Sequence, residues 1–242
     1  METKRLRITI GIVLSVVGAM AASGCGKDEG YSSFELTPSV NSTDGRKADW
    51  SGNGLFWHTG DQVSINGYTH TVNISGSLWI TTGVHVNAED DGNFYIAFPS
   101  GSGYSSSSHT VGGISITGNV VPLSCVGSTN KLTLYPCCAV LKLEGMGGDA
   151  TVELTDEPYG SPVMVPTSGS IDIAGNCITG GSDYENVLSG VEVGGSTYVV
   201  VPMTGNSLRA ALTIFDENYY GETTEAVTLR KGYLYIIDPA NF

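Results

Sequence analysis

Short runs of β-branched and aromatic residues recur along this chain at intervals of about 8 to 12 residues, each cut off by Gly, Pro, Asn, Asp or Ser. Such spacing leaves no room for ordinary helices, which need about ten or more residues of one sustained apolar stripe. No amphipathic helix is expected. Glycine supplies 33 of the 242 residues and charged side chains only 14%, again a β composition. The clearest local signal is Asn66-Gly67 between two alternating runs, because that pair supplies the positive φ angles of a type I′ hairpin turn. Strands are expected at 34–40, 61–65, 68–74, 78–82, 84–88, 94–98, 114–121, 132–135 and 138–144, with 100–108 as a flexible loop. The second half repeats the pattern at 151–154, 170–173, 187–193, 198–201, 210–215, 226–229 and 233–237. Many short strands between turn signals predict an all-β chain of sandwiches or barrels.

Two domains follow from the length left after the leader described below, and Gly-Met-Gly-Gly-Asp at 145–149 interrupts the strand pattern. The expected division is 34–147 and 148–242. An internal echo agrees: Tyr95-Ile96-Ala97-Phe98-Pro99 and Tyr198-Val199-Val200-Val201-Pro202 are both aromatic-led apolar strands stopped by proline.

The first seven residues carry Lys4, Arg5 and Arg7, and residues 8–22 follow as 15 residues without a charge. This is the basic and apolar pattern of a secretory signal, and it is shorter than the roughly 20 residues of a bilayer span. It ends in Ala22-Ser23-Gly24-Cys25, which resembles the lipobox of bacterial lipoproteins. The resemblance implies cleavage of a signal peptide at 1–24, acylation of Cys25, and a flexible tether at 25–33. Lys27, Asp28 and Glu29 are similar to the short export signal that sends Bacteroidetes lipoproteins to the outer face of the outer membrane. The net charge is −13 and, with the leader's Glu2 and three basic residues removed, −15. Nucleic acid is therefore not an expected partner, and attachment to a membrane must come from lipid rather than a basic face.

Catalysis has no recognisable constellation. The four histidines, His58, His70, His85 and His109, stand in no His-Glu-x-x-His motif and near no Gly-x-Ser-x-Gly elbow. Carboxylates cluster at Glu89-Asp90-Asp91, Asp156-Glu157 and Asp216-Glu217, where turns are expected, and the calcium-loop spacing is missing at Asp90-Asp91. No enzyme activity, metal or cofactor is expected. Cys125, Cys137, Cys138 and Cys177 remain after Cys25 is acylated, and an exported chain permits disulfides. They read best as small buried hydrophobes, with a bridge from Cys125 to Cys137 or Cys138 as the alternative. On a strand, Cys137 and Cys138 would point to opposite faces.

Three passages carry a family resemblance. Trp57-His58-Thr59-Gly60-Asp61-Gln62-Val63-Ser64-Ile65 resembles the Trp-x-x-Gly-Asp segment of fimbrillin-like proteins of Bacteroidetes. Residues 122–143, with Leu132-Thr133-Leu134 and Cys137-Cys138-Ala139-Val140-Leu141-Lys142-Leu143, are similar to that family's proline, loop and apolar-Lys-Leu passage. Residues 198–202, then Leu212-Thr213-Ile214-Phe215-Asp216 and Leu229-Arg230-Lys231-Gly232-Tyr233-Leu234-Tyr235, resemble the end of its second domain. The resemblance implies two transthyretin-like β-sandwiches and a role as a type V pilus subunit, in shaft, tip or anchor position. It further implies that an Arg-specific protease removes the lipidated first strand and that a strand from the next subunit fills the groove.

Here that first, donor strand is 34–40, with Phe34, Leu36 and Val40 as its named residues. Arg46 is the candidate cleavage residue, since Arg46 and Lys47 are the only Lys or Arg between Lys27 and Lys131 and lie in a polar loop. The expected partners are other pilus subunits, the outer membrane through the lipid anchor, and a host or bacterial surface ligand. The expected location is the cell surface, in a fimbrium. The alternative function is glycan capture by a surface lipoprotein, with Trp50, Trp57, Trp79 and Tyr68 as stacking planes.

Overall fold

A computed structural model of the chain describes residues 30–42, 47–49, 57, 60–75, 77–116, 120–146, 150–193 and 195–238. The predicted leader, Cys25, Lys27, Asp28, Glu29 and Arg46 lie outside the described residues. Among those described there is no helix, and the chain is all-β as the turn spacing predicts.

The strands of the first half are β1 (Tyr31–Ser42), β2 (Lys47–Asp49), β3 (Gln62–Ile65), β4 (Tyr68–Thr71), β5 (Asn73–Ser75) and β6 (Ser77–Val86). They continue with β7 (Phe94–Phe98), β8 (Gly103–Ser105), β9 (Thr110–Ser115), β10 (Leu123–Gly127), β11 (Lys131–Pro136) and β12 (Cys138–Glu144). The second half opens with β13 (Thr151–Thr155), β14 (Val165–Pro166), β15 (Ser168–Asp172), β16 (Cys177–Thr179), β17 (Tyr184–Glu185) and β18 (Val187–Ser189). It closes with β19 (Val191–Val193), β20 (Ser196–Pro202), β21 (Ser207–Phe215), β22 (Tyr220–Glu222), β23 (Val227–Arg230) and β24 (Tyr233–Ile237).

The Asn66-Gly67 turn forms as expected, with φ of 48° and 82°, and closes β3 on β4 at the Ile65–Tyr68 pair. Other segments differ from the sequence reading for physical reasons. Residues 78–82 and 84–88 merge into β6, because a glycine inside a strand weakens it without ending it. Residues 187–193 split at Gly190, where a Cβ would come within 2.1 Å of the Thr197 side chain and 2.9 Å of the Ala150 carbonyl. The expected loop at 100–108 contains β8, which pairs with β9. The strand expected at 114–121 is instead β9, ending at Ser115, while β10 was not foreseen and joins β7 to β11.

One large mixed sheet runs β19-β20-β12-β24-β1-β11-β10-β7-β3-β4, with β2 and β6 also on β1 and β5 on β6. A second sheet runs β18-β13-β21-β22 with β23 on β21, and a third runs β16-β15-β9-β8. Two apolar cores separate these layers. The first gathers Phe34, Leu36, Ile65, Phe94, Ile96, Leu134 and Ile171 among its buried residues. The second gathers Leu141, Leu143, Val152, Leu154, Leu212 and Ile214.

Both cores lie against the same strands. In β12, Val140 faces the first core and Ala139, Leu141 and Leu143 the second. In β20, Tyr198 and Val200 face the first and Val199 and Val201 the second, and all seven residues of that strand are buried. A strand covered on both faces needs an unbroken apolar run, which is why Tyr198-Val199-Val200-Val201 shows no alternation. Strands from both sides of 147/148 enclose each core: β15 and β16 reach the first, and β12 lines the second.

Candidate functional site

β1 is the element on which the sequence reading placed function. It is an internal strand rather than an edge. Its first half pairs antiparallel with β6 through Ser33–Thr81, Phe34–Ile80 and Glu35–Trp79. On its other side it runs parallel to β11, with Glu35, Leu36, Thr37 and Pro38 opposite Lys131, Leu132, Thr133 and Leu134. Its second half changes partners. Residues 39–41 pair with β2, and Asn41 and Ser42 run parallel to Tyr233 and Leu234 of β24. One strand therefore ties the β6–β11 region to the strands that the two cores share.

Alternation decides what β1 buries. Phe34 and Leu36 are each 0% exposed, and Pro38 continues the buried face. Phe34 sits in an edge-to-face cluster with Phe94 at 5.1 Å and Tyr31 at 6.0 Å, and Tyr31 meets Phe94 at 5.6 Å. Val40 lies in the strand opposite Ala48, and its side chain is outside the described residues.

Three further residues hold β1, and the sequence reading gave them no such role. Trp57, buried, donates its indole N–H to the Leu36 carbonyl at 3.3 Å and packs edge-on against Phe98. Asn130 donates its side-chain amide to the Ser33 carbonyl at 3.0 Å, and its own carbonyl accepts from the Glu35 N–H at 2.7 Å. Lys131 pairs with Glu35 at 3.0 Å, a contact too exposed to contribute much. Trp57 was visible as the first residue of the Trp-x-x-Gly-Asp segment. Asn130 carried no signal beyond that of a turn residue.

The carboxylates near Asp91 are structural. Asp91 accepts from the Tyr95 hydroxyl at 2.5 Å and from the Asn93 N–H at 3.0 Å, which closes the turn before β7. The Tyr95 bond is the main cause holding the Asp91 carboxyl below its ordinary range, and the same bond pushes the Tyr95 phenol up to about 12. Tyr104 donates to Glu89 at 3.1 Å and lies 3.1 Å from His109 Nδ1, while the His109 ring stacks on Tyr95 at 3.5 Å. Among the described residues no group of three or more His, Cys, Asp or Glu side chains could hold a metal ion.

Cys125, Cys137, Cys138 and Cys177 are free thiols, so the alternative bridge from Cys125 is not formed. The opposite-face expectation for Cys137 and Cys138 does not hold, because both line the first core. Cys137 precedes β12 in the bend after β11, where strand alternation does not apply. Its thiol donates to Asn176 Oδ1 at 3.0 Å. Burial pushes the Cys125 and Cys137 thiols up to about 12 and Cys138 well above its ordinary value, so none is a ready nucleophile. Of the proposed sugar-stacking residues, Trp57 is buried in the first core, and Tyr68 stands 59% exposed on β4. The side chains of Trp50 and Trp79 lie outside the described residues.

No family model matches the chain, and no curated protein matches it in sequence. Among solved structures, a fimbrial protein from Bacteroides ovatus ATCC 8483 is similar, at 11% identity and a TM-score of 0.41. The match covers 87% of this chain and 49% of that protein, so the chain spans about half its length.

Proposed function

We propose that this chain is a surface-exposed lipoprotein of the fimbrillin-like kind, a pilus subunit that joins its neighbours by strand exchange at β1 and serves adhesion. One observation carries the reading. Among the described residues β6 and β11 pair with β1 and not with each other, and β1 fills the space between them with Phe34 and Leu36. Its departure unpairs the facing edges of β6 and β11, takes a partner from β2 and β24 further along, and vacates the buried positions of Phe34, Leu36 and Pro38. A strand from a second subunit, running in the direction of β1 with apolar residues at alternate positions, restores both the hydrogen bonds and the core.

Cleavage at Arg46, between β1 and β2, frees the strand. Acylation at Cys25 anchors the uncut chain in the outer membrane, and Lys27, Asp28 and Glu29 direct it to the cell surface. The chain holds a shaft, tip or anchor position and performs no chemistry of its own.

The test is Arg-specific proteolysis of the full chain, followed by size exclusion and mass spectrometry with and without a synthetic peptide of the β1 sequence. Cleavage at Arg46, loss of the first strand and growth of oligomers that the peptide suppresses are expected. The proposal is lost if the cut chain keeps its first strand under assembly conditions, or if releasing that strand unfolds the chain without oligomers.

A further inference from the structure

The β18-β13-β21-β22 sheet covers the second core with one face, and the other face carries half-buried and exposed side chains. Across that outer face Val187, Glu153, Thr213 and Glu222 stand in one cross-strand row, and Ser189, Thr151, Phe215 and Tyr220 in the next. Val152, Leu154 and Ile214, at the alternate positions, point inward and are buried, and Gly221 lies buried in line with them. Glu153 and Glu222 are thus two strand spacings apart, about 10 Å between backbones, on one surface.

Large aromatic side chains lie on this face where water would be expected. Tyr159, 81% exposed, reaches across from the loop after β13 and donates its hydroxyl to Glu222 Oε1. Tyr220, 51% exposed, donates to Glu222 Oε2 at 3.1 Å. Both phenols hold their protons above the ordinary range. The main cause for Tyr159 is the Glu222 bond, and for Tyr220 it is burial, with the Glu222 bond second.

Chemistry narrows what could cover such a face. Both phenolic hydrogens are directed at Glu222, so Tyr159, Tyr220 and Glu222 offer a ligand only oxygen lone pairs and the negative faces of two rings. Among the described residues no Lys or Arg forms an ion pair with Glu222 or Glu153, and the chain as a whole carries −13. A group made only of donors and positive charge complements this surface. Guanidinium does so best, since its plane stacks on a ring while its N–H groups reach carboxylate oxygens.

We propose that the outer face of this sheet, centred on Tyr159, Tyr220 and Glu222 with Glu153 as the second carboxylate, docks an arginine side chain of a partner polypeptide. The interaction is independent of strand exchange, for it uses a different sheet and needs no strand to leave. Stacking on the exposed rings supplies contact area, and the two carboxylates, which accept only from neutral donors (Tyr159 and Tyr220 on Glu222, Asn186 on Glu153 at 3.3 Å), supply charge complementarity that selects basic partners and speeds encounter.

The test is titration calorimetry of the full chain with a short arginine-serine peptide and with the same peptide carrying neutral citrulline in place of arginine. The arginine peptide is expected to bind, with affinity at least about tenfold above the citrulline peptide and falling as salt rises. Glu222→Gln and Tyr159→Ala should each weaken it by about tenfold, while Glu192→Gln, an exposed carboxylate on β19 in the other sheet, should leave it unchanged. Equal binding of the two peptides overturns the proposal, as does unchanged affinity in Glu222→Gln or an equal loss in Glu192→Gln, which would mean diffuse charge attraction. Tyr159-dependent binding of neutral oligosaccharides without the arginine peptide overturns it too, and makes the face a sugar platform. Glu222 and Tyr159 lie outside the core, so circular dichroism separates a lost site from a lost fold.

Discussion

Tyr95 is fixed from several directions at once. Its ring stacks on His109, its hydroxyl meets Asp91 at 2.5 Å, its N–H donates to Asn66 Oδ1 at 2.7 Å, and its carbonyl accepts from the Asn66 N–H. Asn66 was legible in the sequence as half of a hairpin turn. Its second task, carrying β7, was not, because a side chain's long-range partner leaves no local pattern. The phenol raised to about 12 gives a signed expectation. A folded value above the unfolded 10.0 means the bond contributes fully below pH 10 and is lost between pH 10 and 12. Urea unfolding of the parent chain and of Tyr95→Phe should therefore differ by about 1 kcal/mol at pH 9 and converge towards pH 12. Asp91, held below 3.8, predicts the same loss on the acid side as pH falls past that value. A gap between parent and variant that stays constant from pH 9 to 12 would remove the bond from the account.

At the scale of elements, the strand expected at 34–40 lies within β1, which extends further at both ends, over Tyr31–Ser42. Its partners were not legible. Parallel pairing with β11 and β24 joins residues about 100 and 190 positions apart, and neither periodicity nor turn chemistry encodes such distant neighbours. The same limit hid β10, whose Ser124 breaks the apolar run yet is buried beside Asn176, at a hydrogen-bond distance of 2.7 Å. Since Phe34 is wholly buried within an aromatic cluster, Phe34→Ala should cost about 3 to 5 kcal/mol in equilibrium unfolding. Thr37→Ala, at an exposed position of the same strand, should fall within about 0.5 kcal/mol of the parent. Equal effects at the two sites would mean that β1 does not pack as described.

For the whole molecule, the shared strands matter most. The all-β class and most strand positions were readable because turn residues and β-branched runs act locally. The sharing of β12, β20 and β24 by two cores was not read, although the unbroken Tyr198-Val199-Val200-Val201 run carried the hint. Cores that lean on common strands should unfold together. Val140→Ala, on the first-core face, and Leu141→Ala, on the second, are each expected to lower one common denaturation midpoint. Near-ultraviolet and far-ultraviolet circular dichroism should trace the same curve in both variants, and two separated transitions would show that the cores act alone.

Because β1 is gripped along its length, by β6 and β11 first and by β2 and β24 further on, its direction matters to any force on the chain ahead of Gly30. Tension arriving there pulls along the strand axis, whereas the ladder bonds run across or aslant to it. Those bonds are then loaded in shear and together, like a bolt drawn against its whole thread, instead of parting one by one as in a zipper. A pull applied at that end would be met by the strength of the entire strand.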